Sequence, residues 1–243
     1  MSLRIAINGA GVAGPALAWW LRRAGNDVLL VERAPRPRTG GYVIDFWGLG
    51  YDIAEKMGLV PEIRAMGYQV REVRFVDGEG RARGGFSVDV FSRLTMDRFT
   101  SVRRSDISAA ILGALDPGVE TIFDDSIASI EDMGGSVRIA FDRAPAREVD
   151  LVIGADGLHS RVRALAFGPE ERFEVPLGYH VAAFEAEGYR PRDDLVYVSH
   201  AIPGRQVSRF TMRDDRTLFL FVLRDEYLQG AGLGSDAERK ATL

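Results

Sequence analysis

The chain has 243 residues, of which 46% are hydrophobic and 27% are charged, with a formal net charge of −4 and no cysteine. This length suffices to bury a substantial core in one large or two small domains. The negative balance provides no basic field for nucleic acid, and no apolar run reaches the roughly 20 residues of a membrane span. Without cysteine there are no disulfides, thiolate nucleophiles or zinc–thiolate sites. We expect a globular protein of the cytoplasm.

The N-terminal segment follows the order strand, glycine-rich turn, helix, strand. A strand over residues 3–8 leads into the turn Gly9-Ala10-Gly11-Val12-Ala13-Gly14, and a helix is predicted over residues 12–24. A second strand over residues 27–32 ends in Glu32. Because an acid at the end of the second strand accompanies the glycines, this order is typical of a dinucleotide-binding βαβ unit.

Each glycine of this turn has a separate expected task. Gly9 permits a tight turn, Gly11 lets the backbone approach a pyrophosphate, and Gly14 lets the helix pack close to the sheet. The helix start offers free N–H groups and the positive end of the helix dipole to phosphates. Glu32 can accept hydrogen bonds from both hydroxyls of an adenosine ribose. The sequence therefore predicts a dinucleotide site at this turn.

The remaining pattern predicts an α/β part followed by an antiparallel part, and hence two subdomains. In chain order the predicted elements are helical segments within residues 48–66, a hairpin of residues 70–76 and 81–88, a helix from Ser105 or Asp106 to Leu115, strands over residues 120–123, 127–131, 136–141 and 150–154, and four strands over residues 179–187, 195–201, 206–213 and 217–223.

A second motif follows the strand at residues 150–154. It reads Gly154-Ala-Asp156-Gly157-Leu-His-Ser160-Arg-Val-Arg163, in which Ser160 can cap a helix that carries Arg163. An aspartate in a glycine-flanked turn at the carboxyl end of a strand faces the crevice where α/β sheets bind ligands. Taken alone, the motif is equally well a plain Asp-Gly turn with a capping serine.

Together these segments resemble the class A flavin monooxygenases, the para-hydroxybenzoate hydroxylase-like group. The resemblance spans nearly the whole chain and rests on three segments: Gly9-x-Gly11-x-x-Gly14 with Glu32-Arg33, Arg104-Ser-Asp-Ile107 at a helix start, and Asp156-Gly157-x-x-Ser160-x-x-Arg163. It implies an α/β fold with a Rossmann-like FAD-binding domain of residues 1–70 and 97–170. An antiparallel β-sheet substrate subdomain would comprise residues 71–96 and 171–243.

The resemblance also implies the ligands and the chemistry. FAD would be the resident cofactor, NADPH or NADH the transient reductant, and O₂ the co-substrate in the hydroxylation of an aromatic or polyketide-like small molecule. The implied cofactor-binding residues are Gly9, Ala10, Gly11, Val12, Ala13, Gly14, Glu32, Arg33, Gly41, Arg104, Ile127, Asp156 and Gly157.

Individual roles follow from the same resemblance. Glu32 would hold the adenosine ribose, Arg33 would lie near the adenine, and the backbone of Ile127 would contact the adenine. Arg104 would contact the phosphate or ribityl region, and Asp156 would support the FAD site and the transient NADPH contact. Gly40 and Gly41 would lie where the chain passes close to the flavin. Arg103 is the alternative to Arg104, which we prefer because it directly precedes the Ser-Asp-Ile helix start.

No catalytic side-chain constellation emerges, and His159, His180 and His200 lack metal-ligand spacing. A hydrolase triad of Asp156, His159 and Ser160 is disfavoured, because adjacent residues on one turn point apart and no Gly-x-Ser-x-Gly elbow exists. An ordinary NAD dehydrogenase would leave the segments of Arg104 and Asp156 without a role.

The C-terminal segment departs from the family pattern. The family's further Gly-Asp motif does not occur after residue 223, and Ser235 with Glu238 forms a capping-box signature at a helix start. We therefore expect the front part of a longer protein. Two alternatives stay open: a flavin oxidoreductase of the same fold that does not hydroxylate, and a catalytically silent nucleotide-binding module that needs a missing C-terminal part.

Overall fold

The computed structural model describes residues 1–37, 41–228, 235 and 238. It divides into two compact units, each formed by two segments of the chain. The first unit comprises Met1–Gly40 and Arg104–Val175, and the second comprises Gly41–Arg103 and Pro176–Leu243. Among the described residues, no helix has the length and apolar character needed to cross a membrane.

The described residues form strands and α-helices in the following order. The strands are β1 (Arg4–Asn8), β2 (Asp27–Glu32), β3 (Val43–Trp47), β4 (Glu72–Val76), β5 (Ala82–Ser87), β6 (Phe99–Arg103), β7 (Glu120–Phe123), β8 (Ile127–Asp132), β9 (Val137–Phe141), β10 (Arg147–Val149), β11 (Leu151–Gly154), β12 (Tyr179–Glu187), β13 (Val196–Ile202), β14 (Arg205–Thr211) and β15 (Arg216–Arg224). The helices are α1 (Ala13–Arg23), α2 (Gly48–Lys56), α3 (Val60–Met66), α4 (Asp89–Thr95), α5 (Arg104–Gly113) and α6 (Arg161–Phe167).

The first unit is built on a parallel sheet of four strands in the order β11-β1-β2-β7. Side chains of the central strands β1 and β2 alternate between the two faces of the sheet and pack into two separate hydrophobic cores. Ile5, Ile7 and Leu30 pack on the side of α1, together with Ala18 of that helix. On the opposite face, Ala6, Leu29 and Val31 pack against Ile127, Ile139 and Phe141 of the antiparallel layer β10-β9-β8. Because both faces are covered, the central strands are almost wholly apolar.

The second unit is built on a sheet of six strands in the order β12-β15-β14-β13-β4-β5. Its pairs are antiparallel except for β13 with β4, which run parallel. A two-stranded antiparallel ribbon of β3 and β6 belongs to the same unit. Val43 of this ribbon shares a core cluster with Tyr68, Phe210 and Leu218.

Most predicted elements are confirmed, including the β1-α1-β2 order, the β4–β5 hairpin and the four strands of residues 179–224. Strands β3, β6 and β10 and helix α4 were not predicted. Strands β3 and β6 pair with each other across a long stretch of chain, and α4 buries none of its residues. Neither a strand pair that is distant in sequence nor a helix without buried residues produces a periodic pattern of apolar residues in the local sequence.

The compact units differ from the predicted domain boundaries. Residues 41–70 and 97–103, expected in the first domain, cluster with the second unit. The β3–β6 pairing and the packing of Val43 and Tyr68 on Phe210 explain this grouping.

The predicted capping box is present, since Ser235 N–H donates to Glu238 Oε2 at 2.8 Å and Glu238 N–H donates to Ser235 Oγ at 3.2 Å.

Candidate functional site

The glycine turn joins the carboxyl end of β1 to α1 and is sterically closed at two positions. Gly9 has φ of +111°, and a Cβ there would lie 2.4 Å from the carbonyl oxygen of Ala155. A Cβ on Gly14 would lie 1.9 Å from the carbonyl oxygen of Gly9 and 3.3 Å from a methyl group of Leu30. The turn therefore needs glycine at both positions, for the tight bend and the close helix packing that the sequence predicts.

Gly11 differs from the other two, because a Cβ there would meet nothing within 4 Å. Helix α1 begins at Ala13, and its N-cap Val12 provides no side-chain hydrogen bond to the first turn. No acidic side chain lies in that first turn. Backbone N–H donors and the positive end of the helix dipole are therefore available to an external anion at the start of α1. The space next to Gly11 is open to such a ligand.

Glu32 ties the end of β2 to the glycine turn. Its Oε2 accepts the Ala10 N–H at 2.8 Å, and its Oε1 accepts the Ala34 N–H at 2.9 Å. The residue is buried, at 9% exposure. Two backbone hydrogen bonds therefore hold a carboxylate next to the glycine turn in a fixed orientation.

Asn8 links the two sequence motifs, which lie almost 150 residues apart along the chain. Its Nδ2 donates to Asp156 Oδ2 at 2.8 Å, and its Oδ1 accepts the Ile127 N–H at 3.3 Å. Asn8 is 4% exposed. Asn8 was not predicted as a site residue, although a polar amide directly after the apolar residues 5–7 was the available signal.

Asp156 is the most heavily hydrogen-bonded carboxylate of this region. It accepts hydrogen bonds from the Ser160 hydroxyl, the Asn8 amide and the backbone N–H groups of Arg161 and Val162. Burial acts to raise the pKa of Asp156, but the donors together outweigh it and hold the pKa below its usual 3.8. Gly157, next along the chain, has φ of +83° and forms the turn. Asp156 is therefore an anion at neutral pH.

These groups surround a cavity of about 170 Å³ at the carboxyl ends of β1, β2 and β11. It is lined by Asn8, Gly9, Glu32, Arg33, Ser126, Asp142, Asp156, His159 and Arg161. The crevice beyond the carboxyl ends of parallel strands is where α/β sheets bind ligands. Of these residues, Asn8, Ser126, Asp142, His159 and Arg161 were not predicted as site residues. Ser126 and Asp142 flank β8 and β9, so their position depends on how the antiparallel layer packs on the parallel sheet.

The hydrolase alternative finds no support in this geometry. His159 Nδ1 lies 2.7 Å from Glu170 Oε1, whereas the Ser160 hydroxyl donates to Asp156. Ser160 also accepts the Arg163 N–H at 3.0 Å as the N-cap of α6, as predicted. Serine and histidine thus have separate partners, and Ser160 acts as a helix cap.

The remaining predicted residues lie in different places. Arg104 is exposed at the start of α5 and makes no hydrogen bond or ion pair to the described residues. One turn later, the Ser108 hydroxyl donates to the Gly11 carbonyl at 2.9 Å. Arg103 instead belongs to the second unit, where its Nε lies 3.8 Å from Glu185 Oε1. Gly41, with φ of +109°, also belongs to the second unit, and Gly40 lies outside the described residues.

The first unit has the parts that a dinucleotide requires. The open space at Gly11 and the uncapped start of α1 can accommodate a diphosphate. The Glu32 carboxylate, held in a fixed orientation, can accept hydrogen bonds from the hydroxyls of a ribose. Within the described residues, no group of three or more His, Asp or Glu side chains could hold a metal ion.

Comparison with known proteins agrees with this geometry. The family model described as FAD binding domain matches residues 2–214. An uncharacterized protein of Mycobacterium tuberculosis is 44% identical over 193 residues, which are 78% of this chain and 51% of that protein. A flavin-dependent monooxygenase of a Phoma species is 32% identical over 222 residues, which are 88% of this chain and 51% of the relative. The chain spans about half the length of these curated relatives.

Solved structures give the same picture of the fold. The crystal structure of a tetracycline destructase matches with a TM-score of 0.78 and 27% identity, covering 99% of this chain and 61% of that one. HpxO of Klebsiella pneumoniae, crystallised with FAD, matches with a TM-score of 0.77 over 98% of this chain and 60% of that one. At 22% identity the second likeness concerns the fold alone. Because the family model matches most of its length, the chain belongs to the FAD-binding domain family of the class A flavin-dependent monooxygenases.

Proposed function

We propose that the first unit binds FAD through the glycine turn and the cavity beside it. The Gly9 and Ala10 N–H groups donate to Val31 and Glu32, so the backbone N–H groups of residues 11–14 would hold the diphosphate, helped by the dipole of α1. Glu32 would accept the ribose hydroxyls, and the exposed Arg33 would lie against the adenine. Asp156 and Gly157 would form the opposite wall of the same site.

The roles of three other residues are part of this proposal. Arg104 has an uncommitted guanidinium one helical turn before Ser108, which contacts the glycine turn, so it would reach the phosphate or ribityl region. The Ile127 N–H already donates to Asn8, so the proposed contact with adenine would use the Ile127 carbonyl. Gly41 would lie near the flavin.

The observation that carries the proposal is the difference between Gly11 and its neighbours. Gly9 and Gly14 are required by the packing of the chain itself, whereas the space in front of Gly11 is open. A glycine without an internal steric reason, between an uncapped helix start and a fixed carboxylate, suits a ligand that approaches the backbone closely.

We further propose that the protein is an NAD(P)H-dependent monooxygenase. When bound, FAD supplies the redox chemistry that passes electrons from NADPH or NADH to O₂ for substrate hydroxylation. The residues of the chain would bind and orient the cofactor and exclude water from it. The six-stranded sheet of the second unit would supply the substrate surface, and the substrate would be aromatic or polyketide-like. We place the protein in the cytoplasm.

Flavin binding tests the first proposal directly. Gly11→Val should keep the unfolding midpoint of the 243-residue chain but weaken FAD binding at least about tenfold, because the side chain fills the diphosphate space. Quenching of flavin fluorescence on titration measures the affinity. The matched control is Gly113→Val at the end of α5, where a Cβ also meets nothing within 4 Å. Equal affinity of Gly11→Val and the unmodified chain would contradict the proposal.

Activity is tested on the FAD-loaded chain with tetracycline as a first probe, since one related structure is a tetracycline destructase. Oxidation of NADPH or NADH coupled to a hydroxylated product supports a monooxygenase. Oxidation without a hydroxylated product supports the non-hydroxylating oxidoreductase. Flavin binding without NAD(P)H oxidation and without a hydroxylated product supports the catalytically silent module. Activity restored by adding a further polypeptide would identify the part that this module needs.

A further inference from the structure

The six-stranded sheet of the second unit ends in two edge strands, β5 and β12. Within the described residues, β5 pairs only with β4, and β12 pairs only with β15. The outer edge of each strand therefore presents backbone N–H and C=O groups that the sheet does not use, and such a row is a template for a further strand. Proteins protect edges of this kind with charges, bulges and short strands. The two edges differ in this protection.

Strand β5 carries several features that oppose pairing. The register between β4 and β5 shifts between Phe75 and Val76. Gly84 and Gly85 lie at the centre of β5, where glycine weakens a strand. The side chain of Arg83 is 63% exposed and places a charge on the same strand. The edge at β5 is consequently a poor template for another strand.

Strand β12 is longer and more regular. It runs for nine residues, Tyr179–Glu187, without proline, glycine or lysine. All nine residues pair with β15 in one unbroken register, so the strand has no bulge. Tyr179, Val181 and Phe184 have 48%, 64% and 41% of their surface exposed. A long, regular edge strand with exposed apolar side chains is the kind of edge that pairs with another chain.

The acidic residues of β12 do not protect its centre. Glu185 and Glu187 lie near its end, and Arg216 of β15 donates to both, with Nη1 to Glu185 Oε2 at 2.7 Å and Nη2 to Glu187 Oε1 at 3.3 Å. Before them, the segment Val181-Ala-Ala-Phe184 is uncharged. Another strand can therefore approach the centre of β12 without removing a charge from water.

The sequence of β12 is complementary to itself in an antiparallel arrangement. A twofold axis at Ala183 pairs all nine residues, because residues at equal distances on either side of Ala183 become opposite partners. Phe184 then lies opposite the partner's Ala182, so that a large ring meets a small side chain. Tyr179 lies opposite the partner's Glu187, to which its hydroxyl can donate. In this register no carboxylate of β12 lies opposite another.

Arg224 adds charge complementarity at both ends of this arrangement. Its Nε donates to the Tyr179 hydroxyl oxygen at 3.0 Å, which places the guanidinium at the Tyr179 end of β12. Glu226 lies 3.8 Å from the same group, and a guanidinium has further N–H donors for a second carboxylate. Antiparallel pairing brings this end beside the partner's Glu187, and the Glu187 side chain is 75% exposed. Exposed pairs of this kind favour one register more than they add stability.

We propose that the outer edge of β12 joins two copies of this chain into a twofold dimer, in which the two six-stranded sheets form one continuous sheet. Backbone hydrogen bonds run along a contact about 30 Å long, and the exposed apolar side chains of β12 are partly covered by the partner. Because the twofold uses the β12 edge of both copies, the assembly closes at two chains. This inference does not depend on the proposed binding of FAD.

The central residue Ala183 gives a test of both the partner and the register. Ala183 is exposed, and the twofold places it opposite the partner's Ala183. Ala183→Lys and Ala183→Glu each put like charges directly opposite one another, which destabilises a strand pair. Sedimentation velocity of the full chain from about 1 to 100 μM should show twice the mass of one chain at the upper end, and each variant should raise the dissociation constant at least about tenfold. An equimolar mixture of the two variants should restore the dimer, because opposite charges then pair.

Ala82→Lys is the matched control, because it adds the same charge at an exposed position of the other edge strand, β5. It should leave the dissociation constant unchanged. Both Ala183 variants should keep the circular dichroism spectrum and the unfolding midpoint of the unmodified chain at the lowest concentration. An unmodified chain that stays monomeric at the highest concentration overturns the inference. A dimer that persists in both Ala183 variants, a mixture of them that stays monomeric, or a continuous series of larger species overturns it as well.

Discussion

The two units use β-sheets in opposite ways. In the first unit both faces of the parallel sheet are covered, and the candidate site is formed by backbone at the strand ends, with glycines where no side chain has room. In the second unit, part of the sheet is exposed, as at Val181 and Ala183 of β12, and buried side chains such as Phe210 form the core. Substitution of Gly9 or Gly14 should therefore damage the first unit, and truncation of a buried aromatic side chain such as Phe210 should damage the second.

This contrast has a physical basis in sheet architecture. When both faces of a parallel sheet are buried, a ligand binds at the carboxyl ends of the strands, where the loops and the helix N-termini lie close together. A mainly antiparallel sheet can leave one face open, because its hairpin connections need not cross that face. A ligand site on such a face is specified by alternate residues of several strands.

Gly14→Ala should have the largest effect. Its Cβ would lie 1.9 Å from the backbone oxygen of Gly9, and backbone cannot move aside without distorting the turn. We expect a loss of at least about 4 kcal/mol in the free energy of unfolding, measured by urea denaturation. Gly11→Ala, the matched control, should cost less than about 1 kcal/mol. Equal losses in the free energy of unfolding for Gly14→Ala and Gly11→Ala would contradict the distinction between a glycine required by packing and the glycine that faces the ligand.

Phe210→Ala should have the next largest effect and tests the second unit. Phe210 is 1% exposed and contacts the rings of Tyr197 and Tyr68. Removal of a buried aromatic side chain leaves a cavity and should cost about 3–5 kcal/mol. Phe86→Ala on β5, where the ring is 47% exposed, should cost less than about 1 kcal/mol. A small effect of Phe210→Ala in thermal and urea unfolding would contradict the assignment of this core.

Asp156→Asn should have a smaller effect that depends on pH. The amide accepts fewer of the hydrogen bonds from Ser160, Arg161 and Val162, so we expect a cost of about 2 kcal/mol at pH 7. Because the folded state lowers the pKa of Asp156, its stabilisation is present above the usual 3.8 and is lost as the pH falls through the folded-state value. The difference between the variant and the unmodified chain should therefore shrink in acid.

Urea unfolding at a series of pH values measures this difference. Asp142→Asn is the matched control, since Asp142 lines the same cavity but forms a half-exposed ion pair with Arg161 at 3.0 Å. Its cost should stay below about 1 kcal/mol. A difference for Asp156→Asn that grows toward low pH would show that the carboxylate is not stabilised by its donors.

Much of the first unit was predictable because its signals are local. The glycine turn, α1, β2 and Glu32 are consecutive, and the conformation of each depends mainly on its neighbours in the chain. The cap at Ser160 was predictable for the same reason, and the structure has it as the N-cap of α6. Strands β3 and β6 were not predicted, because each is stabilised by the other across a long stretch of sequence.

The amino-acid order alone determined the family, the βαβ unit and the two positions where glycine is sterically required. Tertiary structure decided which distant groups meet: Asn8 with Asp156 and Ile127 in the first unit, and Ser199 with Ser208 beside Tyr197 in the second. Local propensity acts between near neighbours in the chain, whereas strand order, register and sheet face are fixed by burial of the whole core. A one-residue slip of β13 would turn the Tyr197 hydroxyl to the other side of the sheet.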